Sequence, residues 1–380
     1  MPADARTLAW VTLARSALPQ RALVTLLRAF GSPDALHSAT QAQLDKVVGA
    51  ALAGRIVAAR RADATDVAGI DSTLRWLDQS GHHLIAWDDA DYPRALLELA
   101  DAPAVLFHLG RRDLLNRPAL AIVGSRNATP QGKQTAREFA AALGSAGLTI
   151  VSGLAAGIDT AAHEGALSSE GGTIAVVATG PDRVYPAKNR KLMAAIAADG
   201  AVVTEYLPGT PARKENFPRR NRLISGLARG VLVVEATLSS GSLITARLAG
   251  EQGRDVFAIP GSIHSPFSKG CHKLIRDGAK LVESVEDVVG ELGWSRVPAA
   301  TAVTAPAVAS GAPAATSEPA RGAADDAARA VLEAIGHGVA TVDLIVARTG
   351  LAAAVVVAEL VRHELAQRVA ALPGGGWQRS

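Results

Sequence analysis

A chain of 380 residues, 48% hydrophobic and 20% charged, can form two or three domains with a substantial core and does not have the composition of a disordered protein. It contains no apolar run long enough to cross a bilayer and no signal-peptide organisation over residues 1–20. The one cysteine excludes an internal disulfide framework and a multi-thiolate metal site, and fits a reducing cytoplasm. A net charge of +3 means that any nucleic-acid surface is a local patch.

Up to about residue 71, apolar residues recur at three- and four-residue spacing over 6–18, 20–30, 33–37 and 41–52, with Gly31-Ser32-Pro33 as a break. Short helices with a turn at Gly49 fit two readings. One is a helix-hairpin-helix-like module that grips DNA backbone through its amides. The other is a small bundle used only for packing; Lys46 and Arg55 are too sparse to choose between them. Strands are then expected at 83–87 and 105–108, with Tyr92-Pro93 and Ala102-Pro103 as turns.

From 119 to about 292 the pattern repeats strand, loop, helix. Strands are expected at 120–123, 148–151, 173–178, 201–204, 231–234, 256–259 and 279–282. Helices fall between them at 131–146, 160–167, 189–198, 223–227, 243–253 and 272–277. That alternation is the sequence form of an α/β, Rossmann-like, doubly wound parallel sheet. Residues 297–318 are Ala, Pro, Thr and Ser, a linker composition. Beyond them, helices at 327–335, 341–349 and 351–367 and a hairpin through Gly374-Gly375-Gly376 to Trp377 suggest a small winged-helix-like unit. Its second and third helices offer only Arg348, Arg362, His363 and Arg368, so protein contact stands beside DNA contact as its role. The expected division is a helical domain at 1–72, the α/β domain at 73–294, the linker at 295–322 and the winged-helix-like domain at 323–380.

The chemistry-bearing turns cluster at the expected strand ends. Val123-Gly124-Ser125-Arg126 offers a tight turn, a hydroxyl and a guanidinium that can fork onto phosphate. It is not a dinucleotide fingerprint, and no acidic residue closes the strand at 148–152, which disfavours a nicotinamide cofactor. Ser152-Gly153 opens a second glycine-rich turn, and Gly180 supplies a third after the next strand. Asp159 and His163 are one helical turn apart. They can pair a base with its orienter, or cap and pack a helix. Lys214 and Phe217 can hold one nucleotide between ammonium and ring, or Phe217 can staple onto Leu223 or Ile224. Pro218 biases Phe217 towards an extended backbone. The stretch Arg219, Arg220, Asn221 and Arg222 opens a helix, and Ser240-Gly241-Ser242 leads into another whose first amides point at the strand ends. Phosphate binding and a solvated helix end both fit. Zinc, P-loop, metalloprotease and α/β-hydrolase motifs are absent from the sequence.

Together V-G-S-R (123–126), S-G-L-A-A-G-I-D-T-A-A-H (152–163), Y-P-A-K-N (185–189), F-P-R-R-N-R-L-I-S-G-L (217–227), S-G-S-L-I-T-A (240–246) and V-F-A-I-P-G (256–261) resemble the DNA-processing protein A family, DprA or Smf, over about 84–292. The resemblance implies an extended Rossmann-like domain and a cytoplasmic, non-enzymatic protein that uses no cofactor. Its partners would be single-stranded DNA, the RecA recombinase and a second copy of itself, with no membrane association. It would protect incoming DNA during natural transformation and load RecA onto it. By motif, Arg126, Lys214 and Phe217 would contact the strand, with Gly180 and the 219–222 cluster nearby. Two departures stand out: Thr129 and Gln131 replace the family's serine and tyrosine, and Cys271-His272 replace Thr-Asn, which questions a polar role at His272. A rival reading is a nucleotide-processing phosphoribohydrolase on the same fold, although its P-G-G-x-G-T-x-x-E signature is missing. A regulatory hub with protein-binding terminal domains is another.

Overall fold

The apolar blocks between glycine turns assemble into one nine-stranded sheet. The structure is a computed structural model that describes residues 5–16, 18–63, 67–294, 321–336, 338–372 and 375–379, so the expected linker at 297–318 lies outside the described residues. The strands are β1 (His82–Ala86), β2 (Val105–Gly110), β3 (Ala119–Val123), β4 (Thr149–Ser152), β5 (Thr173–Val176), β6 (Ala201–Thr204), β7 (Gly230–Val233), β8 (Asp255–Ala258) and β9 (Lys280–Leu281). Their order across the sheet is β1-β2-β6-β5-β4-β3-β7-β8-β9. From β6 to β9 every pairing is parallel, while β1 and β2 extend one edge in antiparallel register.

Winding proceeds outward from β3 to β6 and then returns to place β7 against β3. The carboxyl ends of β3 and β7 therefore flank the point where strand order reverses, the usual crevice of an open α/β sheet. The central strands read as unbroken apolar runs because both of their faces are covered. In β3, Ala119, Ala121 and Val123 join one core while Leu120 and Ile122 join the other. Helix α10 (Asn216–Leu227) buries Leu223, Ile224 and Leu227 on the first face. Helices α7 (Pro130–Ser145) and α8 (Ile158–Leu167) cover the second. The remaining helices of this unit are α9 (Arg190–Asp199), α11 (Ser242–Glu251), α12 (Lys269–Arg276) and α13 (Val285–Glu291).

Ahead of the sheet come α1 (Ala5–Arg15), α2 (Gln20–Phe30), α3 (Pro33–Ser38), α4 (Gln41–Val48), α5 (Ala50–Asp63) and α6 (Val67–Leu77). Helix α6 continues past residue 71, where sequence periodicity fades, because Trp76 is held in a core. That core joins Trp10, Leu23 and Leu27 to Val105 and Phe107 of β2. The N-terminal helices thus share hydrophobic packing with the sheet edge. At the other end, α14 (Arg321–Ile335), α15 (Val342–Thr349), α16 (Ala353–Leu365) and the sheet of β10 (Val339–Thr341), β12 (Gly376–Arg379) and β11 (Val369–Leu372) form a winged-helix domain around Val331, Ile345, Val356 and Leu360. Among the described residues, no single helix is long and apolar enough to cross a membrane.

Trp10 is 1% exposed in the shared core. Its replacement by alanine should cost about 3–5 kcal/mol of stability, read from denaturant midpoints. A cost below about 1 kcal/mol would show that the N-terminal helices are not tied to the sheet in this way.

Candidate nucleic-acid interface

The loop leaving β3 is bound tightly to the end of β7. A side chain on Gly124 would stand 2.8 Å from the Glu235 carbonyl oxygen, so only glycine fits. Ser125 donates its N–H to that carbonyl at 2.7 Å. The Glu235 carboxylate accepts from the Thr129 amide at 2.9 Å and the Thr129 hydroxyl at 2.6 Å. Thr129 in turn caps α7 by accepting from Gly132 N–H at 2.9 Å. Burial raises the Glu235 carboxyl and the two threonine donors oppose that rise. The Thr129 hydroxyl thus joins the clamp on Glu235 to the cap of α7.

The turn after β4 is built from inside. The Asp159 carboxylate accepts the amides of Gly153 at 3.1 Å and Ala155 at 3.3 Å. Leu154 sits at φ 56°, an unusual value for a branched residue, and its N–H donates to His163 Nε2 at 3.3 Å. His163 Nδ1 meets Thr173 Oγ1 at 2.7 Å, and that hydroxyl donates to Ile150 O. The proton of His163 is therefore on Nδ1, and burial lowers the imidazole to about 3. Asn189 Nδ2 donates to Leu154 O at 2.9 Å. Arg220 closes the turn from below: its Nη1 donates to Gly153 O at 2.7 Å and to Val176 O. Of the two readings of Asp159 and His163, the geometry supports the structural one.

Above this scaffold lies a groove of about 410 Å³ at the β3/β7 reversal. Gly124, Ser125 and Arg126 form one wall. Phe217, Arg220 and Asn221 of α10 form the second, and Ser240, Gly241 and Ser242 at the start of α11 the third. The start of α11 is turned in on itself. The Ser242 N–H donates to Ser240 Oγ at 3.4 Å, and the amides of Leu243 and Ile244 donate to the carbonyls of Ser240 at 3.2 Å and Gly241 at 3.1 Å. The helix therefore brings the positive end of its dipole to the groove rather than free amides. At the mouth, the Arg126 guanidinium carbon stands 5.3 Å from the Phe217 ring centroid, a cation–π contact. Phe217 lies 5.3 Å from the ring of Tyr185, which is 50% exposed. The groove thus opens onto a ledge of two aromatic rings and a guanidinium.

Several residues expected at this site lie elsewhere. Ser152 is fully buried, donating to Ile122 O at 2.6 Å, and Gly153 is covered by Arg220. Gly180 is packed against the loop at 207–210, with its N–H on Thr210 O at 2.9 Å. Lys214 lies in the exposed turn ahead of α10, outside the groove lining. Arg222 points away from the groove into ion pairs with Glu205 at 2.5 Å and Asp101 at 3.1 Å, and Arg219 shares that side. Arg220 reaches the groove floor, but its Nη1 is committed to backbone. The cause is where the helix begins. Helix α10 starts at Asn216, with Pro218 in its first turn where a missing N–H costs nothing. Phe217 is therefore helical rather than extended, and 217, 220, 221 and 224 share one face while 219 and 222 take another.

In the sequence Tyr185 stood only within the Y-P-A-K-N motif, without a role of its own, and the clamping role of Glu235 carried no motif. His272 keeps a polar role after all, meeting Gly261 O at 3.0 Å through Nε2, while Cys271 is fully buried beside Val233 O.

A doubly wound sheet with an arginine- and serine-lined groove, an aromatic ledge and a winged helix is the architecture of a class of nucleic-acid-handling proteins. Sequence comparison gives the family: the profile for DNA recombination-mediator protein A matches residues 83–293, and that for the DprA winged helix domain matches 312–375. The chain belongs to the DprA/Smf family of DNA processing proteins. It is 42% identical to Protein Smf of Escherichia coli over 80% of both chains. The crystal structure of DprA from Streptococcus pneumoniae superposes with a TM-score of 0.66 at 41% identity, covering 74% of this chain and 95% of that one. A structure of DNA processing protein A from Helicobacter pylori, described for its unique single-stranded DNA binding mode, has a TM-score of 0.51 at 32% identity. It covers 56% of this chain and 95% of its own.

The scaffold carries a pH signature. Folded His163 binds a proton only near pH 3, against 6.5 for an ordinary imidazole, so below 6.5 the unfolded state binds more protons. Its contribution is complete above 6.5 and is lost progressively towards 3. His108, buried and lowered to about 4, has the same sign. Denaturant midpoints should fall between about pH 7 and about pH 5, and His163→Gln should flatten that fall. An unchanged slope in the variant would place the acid sensitivity elsewhere.

Proposed function

We propose that the groove binds single-stranded DNA without sequence preference, and that the protein acts as a cytoplasmic recombination mediator. The observation that carries this reading is the Arg126–Phe217–Tyr185 ledge at the mouth of a groove closed by the start of α11. The dipole of α11 and Arg126 suit phosphate, whereas the ring of exposed Tyr185 beside half-buried Phe217 suits unpaired bases, whose faces are hidden in a duplex. The described single-strand binding of the Helicobacter relative supports the same assignment. Family membership extends the proposal to a homodimer that protects incoming DNA and loads RecA onto it during natural transformation. A binding rather than catalytic role is favoured because Asp159 and Glu235, the carboxylates nearest the groove, are engaged in holding backbone amides and Thr129. The winged helix offers little for duplex readout. Arg348 donates to Ala334 O and Gln131, Arg362 pairs with Glu359, and His363 is buried.

Fluorescence anisotropy with labelled oligonucleotides tests the proposal. Single strands should bind more tightly than duplex of the same length, with little dependence on base composition. Phe217→Ala and Tyr185→Ala should each lose about 1–3 kcal/mol of single-strand affinity while the melting temperature holds. Equal or tighter duplex binding would overturn the reading.

A further inference from the structure

The face of α10 turned away from the groove borders a second depression, a cleft of about 700 Å³ between the N-terminal helices and the sheet. Four arginines line it, namely Arg21 of α2, Arg213, Arg219 and Arg222, against two carboxylates, Asp101 and Glu205. Both carboxylates are already held by Arg222. Arg21, Arg213 and Arg219 are exposed and have no ion-pair partner among the described residues. Arg222 adds a further signal: its Nη1 is buried without a hydrogen-bond partner, an uncommon state for a charged donor. The position of Arg21 is fixed, because the neighbouring Gln20 accepts the Ala104 N–H at 3.2 Å and so pins the start of α2 to the sheet.

Such a surplus of unpaired guanidinium groups suits phosphate. The cleft and the groove flank the first turns of one helix, a cylinder about 10 Å across. Arg213, on the cleft, and its neighbour Lys214 lie in the exposed segment just ahead of that helix. A flexible single strand can follow this bend where a stiff duplex cannot.

We propose that the cleft between α2 and the start of α10 is a second phosphate-binding subsite, which takes the backbone of a single strand as it leaves the groove around the end of α10. The proposal rests on the groove's being a single-strand site. It gives the N-terminal helices a direct part in binding through Arg21, rather than through backbone amides at a helical hairpin.

Strand length separates the two sites. Labelled oligothymidylates of about 5 and about 20 nucleotides, the first confined to the groove and the second able to span both, are titrated into the full-length protein over a salt series. In Arg21→Ala/Arg213→Ala the long oligonucleotide should bind about tenfold more weakly. Its salt slope should flatten by roughly one to one and a half units, at about 0.7 for each phosphate that is no longer neutralised. The short one should bind as to wild type, and Arg21→Lys/Arg213→Lys should recover most of the long-strand affinity. Long-strand binding unchanged in the alanine variant, or reduced equally for both lengths, would overturn the subsite while leaving the groove intact. Failure of wild type to bind either oligonucleotide would overturn the groove assignment and the subsite with it.

Discussion

A guanidinium group beneath the turn that follows β4 is the constraint on which the site depends. Arg220 is 4% exposed, and its Nη1 ties Gly153 O at the turn to Val176 O at the end of β5. Asp159 faces it across the same turn, taking two amides that would otherwise point into the core. Burial pushes the arginine down to about 10 and raises the aspartate, and the charge of each opposes the shift of the other. With His163 and Asn189 added, the amides of Gly153, Leu154 and Ala155 and the carbonyls of Gly153 and Leu154 are all held from inside. The outer surface of the turn is thereby left to form the groove.

One consequence is a division of labour within a basic stretch that looks uniform in sequence. A helix advances about 100° per residue, so three arginines within four positions cannot share a direction. Arg220 goes inward as scaffold, while Arg219 and Arg222 go to the opposite cleft. At the groove mouth the exposed cation is supplied by Arg126, from a different loop, fixed through Ser125 and Thr129 to Glu235. Rigid support of ligand-facing groups by buried hydrogen bonds is how a binding surface avoids ordering costs when the ligand arrives.

The sheet was legible because its parallel strands are covered on both sides and so appear as apolar blocks closed by glycine turns. Helix α13 was not, being only seven residues long, although its capping box, Ser284 with Asp287, was a readable signal. The glycine turn at Gly124 and the serine-rich start of α11 do meet at one groove at the sheet edge, as their positions after the strands suggested. Orientation was the part that residue patterns did not carry. The bias of a residue before proline favoured an extended Phe217, whereas starting α10 at Asn216 lets Asn216 Nδ2 donate to Ala178 O at 3.1 Å. That small shift in helix start decided which arginine faced which side. Tyr185 escaped because an exposed ring beside a proline has no periodic partner to mark it.

The division between building and binding is tested most directly by comparing Arg126→Ala with Arg220→Met, measuring stability and salt-dependent single-strand affinity on each preparation. Arg126→Ala should melt like wild type and lose about one unit of salt slope. Arg220→Met leaves Asp159 buried without its counter-charge and should lose about 3–5 kcal/mol of stability. An Arg220 variant as stable as wild type that loses only affinity would contradict the account, making Arg220 a ligand contact and not the support of the turn.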